Sequence, residues 1–482
     1  MRSYSDLTVF ALQATSLFAL GRCAPSQKPL VANLPTFNLR EQTDVLCDAG
    51  SRHWTGSVPI TSDKNLSFWY FESRSHPQTD PVLLWMSGGP GATGEFGVFK
   101  DSGPCQVNLD GNSTSKRPFS WTDKANVLFI DQPVGVGFSE ISDRDLMAVT
   151  LEQGGRDLYA FLSVFTSRVF PDTADKTWHI AGESMGGHYV TGYTQYIIQQ
   201  QRERAIQGNA IPLDIATAII VDGYIDDSRS AAGFYDYLCL DWRGDGHKPL
   251  LDPEECESMV AGVPSCEKKG ALCRETYDVE ICTLASSHCN DTVAKFFWKN
   301  VKSGGWNPYD GRLTCENPPL CSDLQGGPTR EFLNKPWVLE RLGYPGKSFS
   351  LIDMDANQRW EEDGHLFLPT TRELTWLLDE TNIRVLFING NDDMIINSPG
   401  QIRMLDEQPW ARQAWYRQQA FEDWHYADGE IAREGLTDEK KKGGKWKGDN
   451  RLSLFLVDEA GHMAPWDQPE AVGAVVRAWI RS

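Results

Sequence analysis

The sequence predicts an α/β fold, with a mostly parallel central sheet flanked by helices and a disulfide-rich insertion. Three observations carry this. Short runs rich in branched and aromatic residues alternate with longer helical stretches. One such run leads directly into Gly182-Glu183-Ser184-Met185-Gly186, and most of the eleven cysteines crowd between Cys239 and Cys321. The 482 residues carry 46 basic and 66 acidic side chains, a net charge of -20 and a pI near 4.9. That balance argues against a nucleic-acid or anionic-membrane partner, because phosphate is bound through clustered Lys and Arg. With 40% hydrophobic and 11% aromatic residues, the chain can bury a core.

At the N-terminus, Arg2 precedes an apolar run over 7–20 and small residues at Gly21 and Ala24, which reads as a secretory signal peptide over 1–24. Losing Cys23 with it leaves ten cysteines, an even number suited to an oxidising compartment. Asn65, Asn112 and Asn290 each open an Asn-x-Ser/Thr glycosylation sequon. No later stretch reaches the ~18 uninterrupted apolar residues of a membrane helix, so no membrane is expected after signal removal.

The runs 68–72, 82–86, 127–130, 178–181, 215–221, 385–388 and 452–457 read as strands, nearly all apolar as strands covered on both faces are. Stretches 151–169 and 188–203 read as helices. The first part of the core is thus 25–225 and the second 335–482. Between them, 226–334 is a Cys-rich insertion punctuated by Gly and Pro. The segment 437–450, with Lys440 to Lys442 and neighbouring glycines, reads as an exposed loop.

Gly182-Glu183-Ser184-Met185-Gly186 lies between a strand and a helix, the setting of a nucleophile elbow, where flanking glycines allow a tight turn that exposes the Ser184 hydroxyl. A serine needs a base, and the base needs an orienting carboxylate. In α/β-hydrolases these follow in the order Ser, acid, His. The strand 385–388 runs into Asn389-Gly390-Asn391-Asp392-Asp393, and the strand 452–457 into Gly461-His462-Met463. Both ends fall where sites of open α/β sheets form. The residues alone leave Asp392 and Asp393 as rival acids, and His425 as a spare base. Gly89-Pro90-Gly91-Ala92-Thr93-Gly94 formally matches GxGxxG, but Gly103-Pro104 cuts short any following helix and no acid-ended strand follows at the usual distance. A loop whose N–H groups face a developing oxyanion is the better reading.

Four motifs together resemble the serine carboxypeptidases: Trp85-Met86-Ser87-Gly88-Gly89-Pro90-Gly91, Asp131 to Ser139, Gly182 to Tyr189, and Gly461 to Pro469. The likeness runs in family order from about Trp54 to the C-terminus. It implies an α/β-hydrolase fold, Ser184 as nucleophile, His462 as base, Asp393 as carboxylate, and an oxyanion hole from the Gly89 and Met185 amides. It also implies a clamp for the substrate's terminal carboxylate from Ser87, Gly88, Asp101 and Glu183, with Ser87 where the family usually has Asn and Asp101 as a shorter second acid. The resemblance implies disulfides Cys266–Cys289, Cys273–Cys282 and Cys315–Cys321, with Cys239–Cys256 and Cys47–Cys105 completing the set. A family cysteine of the Gly-rich loop is replaced by Ala92, so its bridge is expected to be missing.

The reading is a secreted or vacuolar serine carboxypeptidase that acts on peptide or protein substrates with a free C-terminus through an acyl-enzyme, without metal or organic cofactor. An acyltransferase using the same acyl-Ser184 is the enzymatic rival. A catalytically dead binding module is the other, and an intact Ser184, Asp393 and His462 argue against it.

Overall fold

The computed structural model describes residues 37–481 apart from 209–210, 212, 247, 317, 319–320, 322–326 and 433–439. The signal peptide expected over 1–24 lies outside the described residues. Three antiparallel strands come first: β1 (Asn38–Glu41), β2 (His53–Pro59) and β3 (Lys64–Phe71). β4 (Val82–Met86), β5 (Asn126–Ile130), β6 (Thr177–Glu183), β7 (Asp214–Val221) and β8 (Arg384–Gly390) follow. The last four are β9 (Glu422–Ala427), β10 (Glu430–Ile431), β11 (Lys441–Gly448) and β12 (Leu452–Val457). In space they lie in the order β1-β2-β3-β5-β4-β6-β7-β8-β12-β11-β9-β10, within a 13-stranded sheet that also counts Glu140–Ile141 beside β3. From β5 to β12 along that path the strands are parallel, and both margins are antiparallel.

The parallel strands are apolar on both faces because both faces are covered. Along β4, Val82, Leu84 and Met86 enter one apolar cluster and Leu83 and Trp85 the other. α1 (Gly94–Lys100) covers the second face through Phe96 and Phe99, while α2 (Leu151–Val164) and α3 (Gly186–Ile206) cover the first through Leu158, Tyr189 and Val190. Each such burial contributes roughly 1.5–3 kcal/mol. α1 ends early because the chain doubles back at Gly103, where a Cβ would lie 2.1 Å from the Val98 carbonyl oxygen. The helix expected over 151–169 is α-helical only to Val164 and finishes in a π-helical turn, Phe165–Val169.

The insertion is helical: α4 (Asp227–Cys239), α5 (Pro253–Thr276), α6 (Val279–Cys289) and α7 (Lys295–Lys302), then a hairpin of Trp306–Asn307 with Asp310–Thr314. Asp226, Asp252 and Asp278 cap α4, α5 and α6, each accepting a hydrogen bond from a first-turn N–H. Cys239–Cys256 ties α4 to α5, Cys266–Cys289 and Cys273–Cys282 tie α5 to α6, and Cys315–Cys321 closes the segment after the hairpin. Cys47–Cys105 lies in the core. α4 packs closely on α8 (Ser398–Asp406), since a Cβ on Gly233 would fall 2.4 Å from the Gly400 nitrogen. The described chain forms one compact unit, and no helix among the described residues is long and apolar enough to cross a membrane.

The segment expected as an exposed loop, 437–450, is corrected by the structure. Its residues 441–448 are strand β11, paired antiparallel with both β12 and β9. The glycines mark close packing and not a turn, because a Cβ on Gly443 would lie 2.3 Å from the Trp424 ring. Trp446 stacks on Phe455 at 5.7 Å, and the exposed Lys441, Lys442 and Lys445 are the solvent side of the sheet margin. Gly443→Ala is therefore expected to lower unfolding free energy by about 1–3 kcal/mol, as overpacking does. An unchanged denaturation midpoint would show that this margin is not packed as described.

Candidate active site

Ser184 follows β6 at φ +60°, in the left-handed region that a non-glycine residue enters at a cost of about 1–3 kcal/mol. Backbone hydrogen bonds hold it there. Its N–H donates to the Val221 oxygen at 3.0 Å, and its carbonyl accepts from Gly187 at 2.9 Å and Tyr224 at 2.7 Å. A Cβ on Gly187 would meet the Tyr224 oxygen at 2.6 Å, so only glycine lets α3 start so near β7. The half-buried Ser184 opens into a cavity of about 630 Å³.

Asp393 is fully buried in the loop after β8. Its Oδ2 accepts from His462 Nδ1 at 2.7 Å, and its Oδ1 from the Ile396 N–H at 3.0 Å. This bond fixes the imidazole with Nδ1 as donor and leaves Nε2 as the basic nitrogen. Asp392 points elsewhere, pairing with Arg243 at 2.6 Å and Arg312 at 3.5 Å. Of the two rival acids, Asp393 is the one that bonds to His462. His425 lies in β9 near the sheet margin and does not join them. Among the described residues no hydrogen bond links Ser184 Oγ to His462 Nε2, a bond that often tightens only when substrate binds.

The His462 loop is held from two sides. Asp467 accepts from the Gly461 N–H at 2.7 Å, and the His462 N–H donates to the Tyr309 oxygen at 2.6 Å. The Tyr309 ring lies 5.4 Å from the imidazole. Tyr309 belongs to the insertion hairpin, a role invisible in the sequence because nothing marks a backbone carbonyl as a support.

The Gly-rich loop after β4 lies directly on the elbow. A Cβ on Gly88 would come within 2.6 Å of the Ser184 Cβ and 2.8 Å of the Met185 nitrogen. Gly89, exposed at φ +107°, and the buried Met185 both line the cavity beside Ser184. Gly94, the last residue of the GxGxxG match, has its N–H occupied by Asp131 Oδ1 at 2.7 Å.

Asp101 and Glu183 are buried together, close enough that each carboxyl bears on the other. Burial pushes Asp101 up to about 6, opposed by the neighbouring Glu183 carboxyl and the charge of Arg117. Burial first, then the neighbouring Asp101 charge, holds Glu183 well above the usual carboxylate range. The pair therefore keeps a proton in mildly acidic solution. Ser87, also buried, accepts from Trp85 Nε1 at 3.3 Å. Ser87, Gly88, Asp101 and Glu183 do not line the 630 Å³ cavity. Arg117 donates to the Asp101 carbonyl and stacks on Trp466 at 4.5 Å, joining this pair's loop to the His462 loop.

The far walls of the cavity come largely from the insertion. α4 supplies Asp227, Ala231 and Phe234, and α6 supplies Thr283, Ser286 and Ser287. Of the sequons, Asn290 is exposed on the cavity rim and Asn112 is exposed near Lys335. Asn65 is half-buried in β3 and donates to Ser57 Oγ.

A strained serine elbow, an acid and a histidine, carried in that order past successive parallel strands, define an α/β-hydrolase. The serine carboxypeptidase family matches residues 45–482, and the chain belongs to that family. Carboxypeptidase Y homolog A of Aspergillus niger is 29% identical over 485 residues, covering 99% of this chain and 82% of that protein. Carboxypeptidase Y homolog A of Coccidioides posadasii is 31% identical, covering 87% and 72%. Among solved structures, Kex1(delta)p, a prohormone-processing carboxypeptidase from Saccharomyces cerevisiae, shares the fold with a TM-score of 0.70 at 20% identity, over 89% of this chain and 91% of that one.

Asp393→Asn is expected to lower turnover by about 10⁴, because Asn cannot hold the imidazole in the required tautomer. Asp392→Asn should stay within about tenfold of the parent, since it removes only ion pairs at the site's edge. Steady-state kinetics of both variants check this, and equal losses would dissolve the distinction between the two acids.

Proposed function

We propose that this protein is a serine carboxypeptidase of the secretory route that removes C-terminal residues through an acyl-enzyme on Ser184. The observation that carries the reading is the His462–Asp393 hydrogen bond at 2.7 Å in the loops beside an elbow serine, with the buried Asp101 and Glu183 carboxyls next to it. Ser184 Oγ attacks the scissile carbonyl while His462 Nε2 takes its proton, and Asp393 stabilises the imidazolium. The Gly89 and Met185 amides receive the oxyanion. His462 then protonates the leaving amino group, and water, activated by the same nitrogen, releases the acyl chain. The Asp101–Glu183 pair, holding one proton, donates to the terminal carboxylate of the peptide, with Ser87 and Gly88 beside it.

The test uses blocked peptides with free or amidated C-termini. A serine-directed phosphonate should label Ser184, and Ser184→Ala should abolish release of the terminal residue. Transfer of the acyl group to an added amine or alcohol in preference to water would favour the acyltransferase. Labelling elsewhere would remove Ser184 from the mechanism. Passage through the secretory route predicts a mass loss on enzymatic deglycosylation, with Asn112 and Asn290 the accessible sites.

The pH dependence has a definite sign. Binding of free-acid peptides should be best in acid and fade as pH rises and the pair, both of whose carboxyls are raised chiefly by burial, loses its protons, while amidated peptides are less affected. The fold should follow the same direction. Asp101, Glu183, Glu95 and Asp131 all have carboxyls raised chiefly by burial. The native state then holds protons that the unfolded chain has released, so stability falls as pH rises above the ordinary carboxylate range. Calorimetry should give a higher melting temperature at pH 5 than at pH 8. The reverse order would mean that these groups are ionised in the fold.

A further inference from the structure

Another carboxyl stands between the Ser184 strand and the Asp393 strand. Asp222 directly follows β7, at φ +43°, and is fully buried. The preceding Val221 pairs with Glu183 of β6 on one side and Ile388 of β8 on the other. The Asp222 N–H donates to the Ile388 oxygen at 2.8 Å. Its Oδ1 accepts from the Gly390 N–H at 2.6 Å, at the root of the loop that bears Asp393. The N–H of Ala464, just past His462, also bears on this carboxyl. Oδ2 has no hydrogen-bond partner.

We propose that Asp222 is a positioning residue that works as a neutral acid, anchoring the Asp393 loop while leaving Asp393 as the anion that faces His462. The titratable groups around it are Asp393 on the β8 loop, Glu183 at the end of β6, Asp101 after α1, and His462 beyond Asp393. Two adjacent buried carboxyls cannot both ionise cheaply, so one keeps its proton. Asp393 is the better anion because both of its oxygens accept hydrogen bonds, from Ile396 and His462. Asp222 has a hydrogen bond from Gly390 on Oδ1 and none on Oδ2, with the Ala464 N–H nearby. Burial and then the Asp393 charge hold the Asp222 carboxyl well above its usual range. Loss of the Asp222 proton to solvent at high pH places a second anion beside Asp393.

The inference rests on Ser184, His462 and Asp393 acting together, but not on whether water or another acceptor takes the acyl group. The test measures kcat, KM and the pH profile on a blocked peptide ester, which lacks the carboxylate read by Asp101 and Glu183. Phosphonate labelling of Ser184 runs alongside. Asp222→Asn keeps an acceptor for Gly390 and cannot ionise. Its kcat in acid should stay within about threefold of the parent, and its alkaline limb should move up by at least about half a pH unit. Asp222→Ala loses the anchor and should lower kcat at least about tenfold with KM within about twofold. The proposal is overturned by an unshifted alkaline limb in Asp222→Asn, by a loss beyond tenfold in acid for that variant, or by parental kcat in Asp222→Ala. If Asp222→Ala does not fold, the Asp222→Asn limb decides. Ester hydrolysis that survives Ser184→Ala would instead sink the reading of Ser184 as nucleophile.

Discussion

The site depends on backbone segments meeting at Ser184 more closely than a Cβ allows. The loop after β4 crosses the elbow at Gly88, and the start of α3 meets the β7 loop at Gly187. Ser184 itself is held in a left-handed conformation by hydrogen bonds to Val221, Gly187 and Tyr224. These contacts require β4, β6 and β7 to be neighbours, which is their order in the sheet. The same order then continues to β8 and β12, so the Gly-rich loop, Ser184, Asp222, Asp393 and His462 follow one another across the strands' C-terminal edge. From β6 to β12 is three strand steps, about 14 Å at ~4.8 Å per step. A histidine side chain cannot span that distance unaided. The loops after β8 and β12 must lean back toward the elbow, and the Tyr309 carbonyl on the His462 N–H is one of the contacts that holds them there.

Four acids, Asp101, Glu183, Asp222 and Asp393, lie buried near the elbow in a chain already carrying a net charge of -20. Ionising all of them would be prohibitive in a low-dielectric interior. Hydrogen-bond donors are unevenly distributed among them. Asp393 accepts on both oxygens, one bond coming from an imidazole that can become cationic. Asp101 and Glu183 lie buried against each other, each raised chiefly by burial, and Asp222 meets the backbone N–H groups of Gly390 and Ala464. On the proposed reading such a site suits acidic surroundings, where carboxyls raised by burial keep their protons. His462 pulls the other way, since it must be neutral to accept the serine proton.

The strands were legible because burial on both faces leaves nearly unbroken apolar runs, as in β4 and β12. The elbow was legible because its glycines and Ser184 are contiguous. β11 was not, because its glycines answer to Trp424, a neighbour brought by the sheet and remote in sequence. Asp392 and Asp393 were inseparable for the same kind of reason. They are adjacent in the chain, and only the turn of the loop sends one toward His462 and the other toward Arg243. Family likeness chose between them where residue pattern could not. Neither route pointed to Asp222 or Tyr309, whose roles depend on what the fold places beside them.

The insertion carries more than its cysteine content implies. Its α4 and α6 form cavity walls, and its hairpin braces the histidine loop. Four of the five disulfides lie within it, closing sequence separations of 17, 23, 9 and 6 residues. A bridge closing some fifteen residues is worth about 3 kcal/mol in the chain-entropy account. Its own apolar cluster is smaller than either cluster of the main sheet, so the bridges offset an ordering entropy that burial alone covers less well. The division of labour follows from this. The sheet edge holds Ser184, Asp393 and His462 through backbone geometry that tolerates little change. The far walls of the cavity stand on a cross-linked helical unit, whose cavity-facing residues can vary while the bonds that position Ser184, Asp393 and His462 stay as they are.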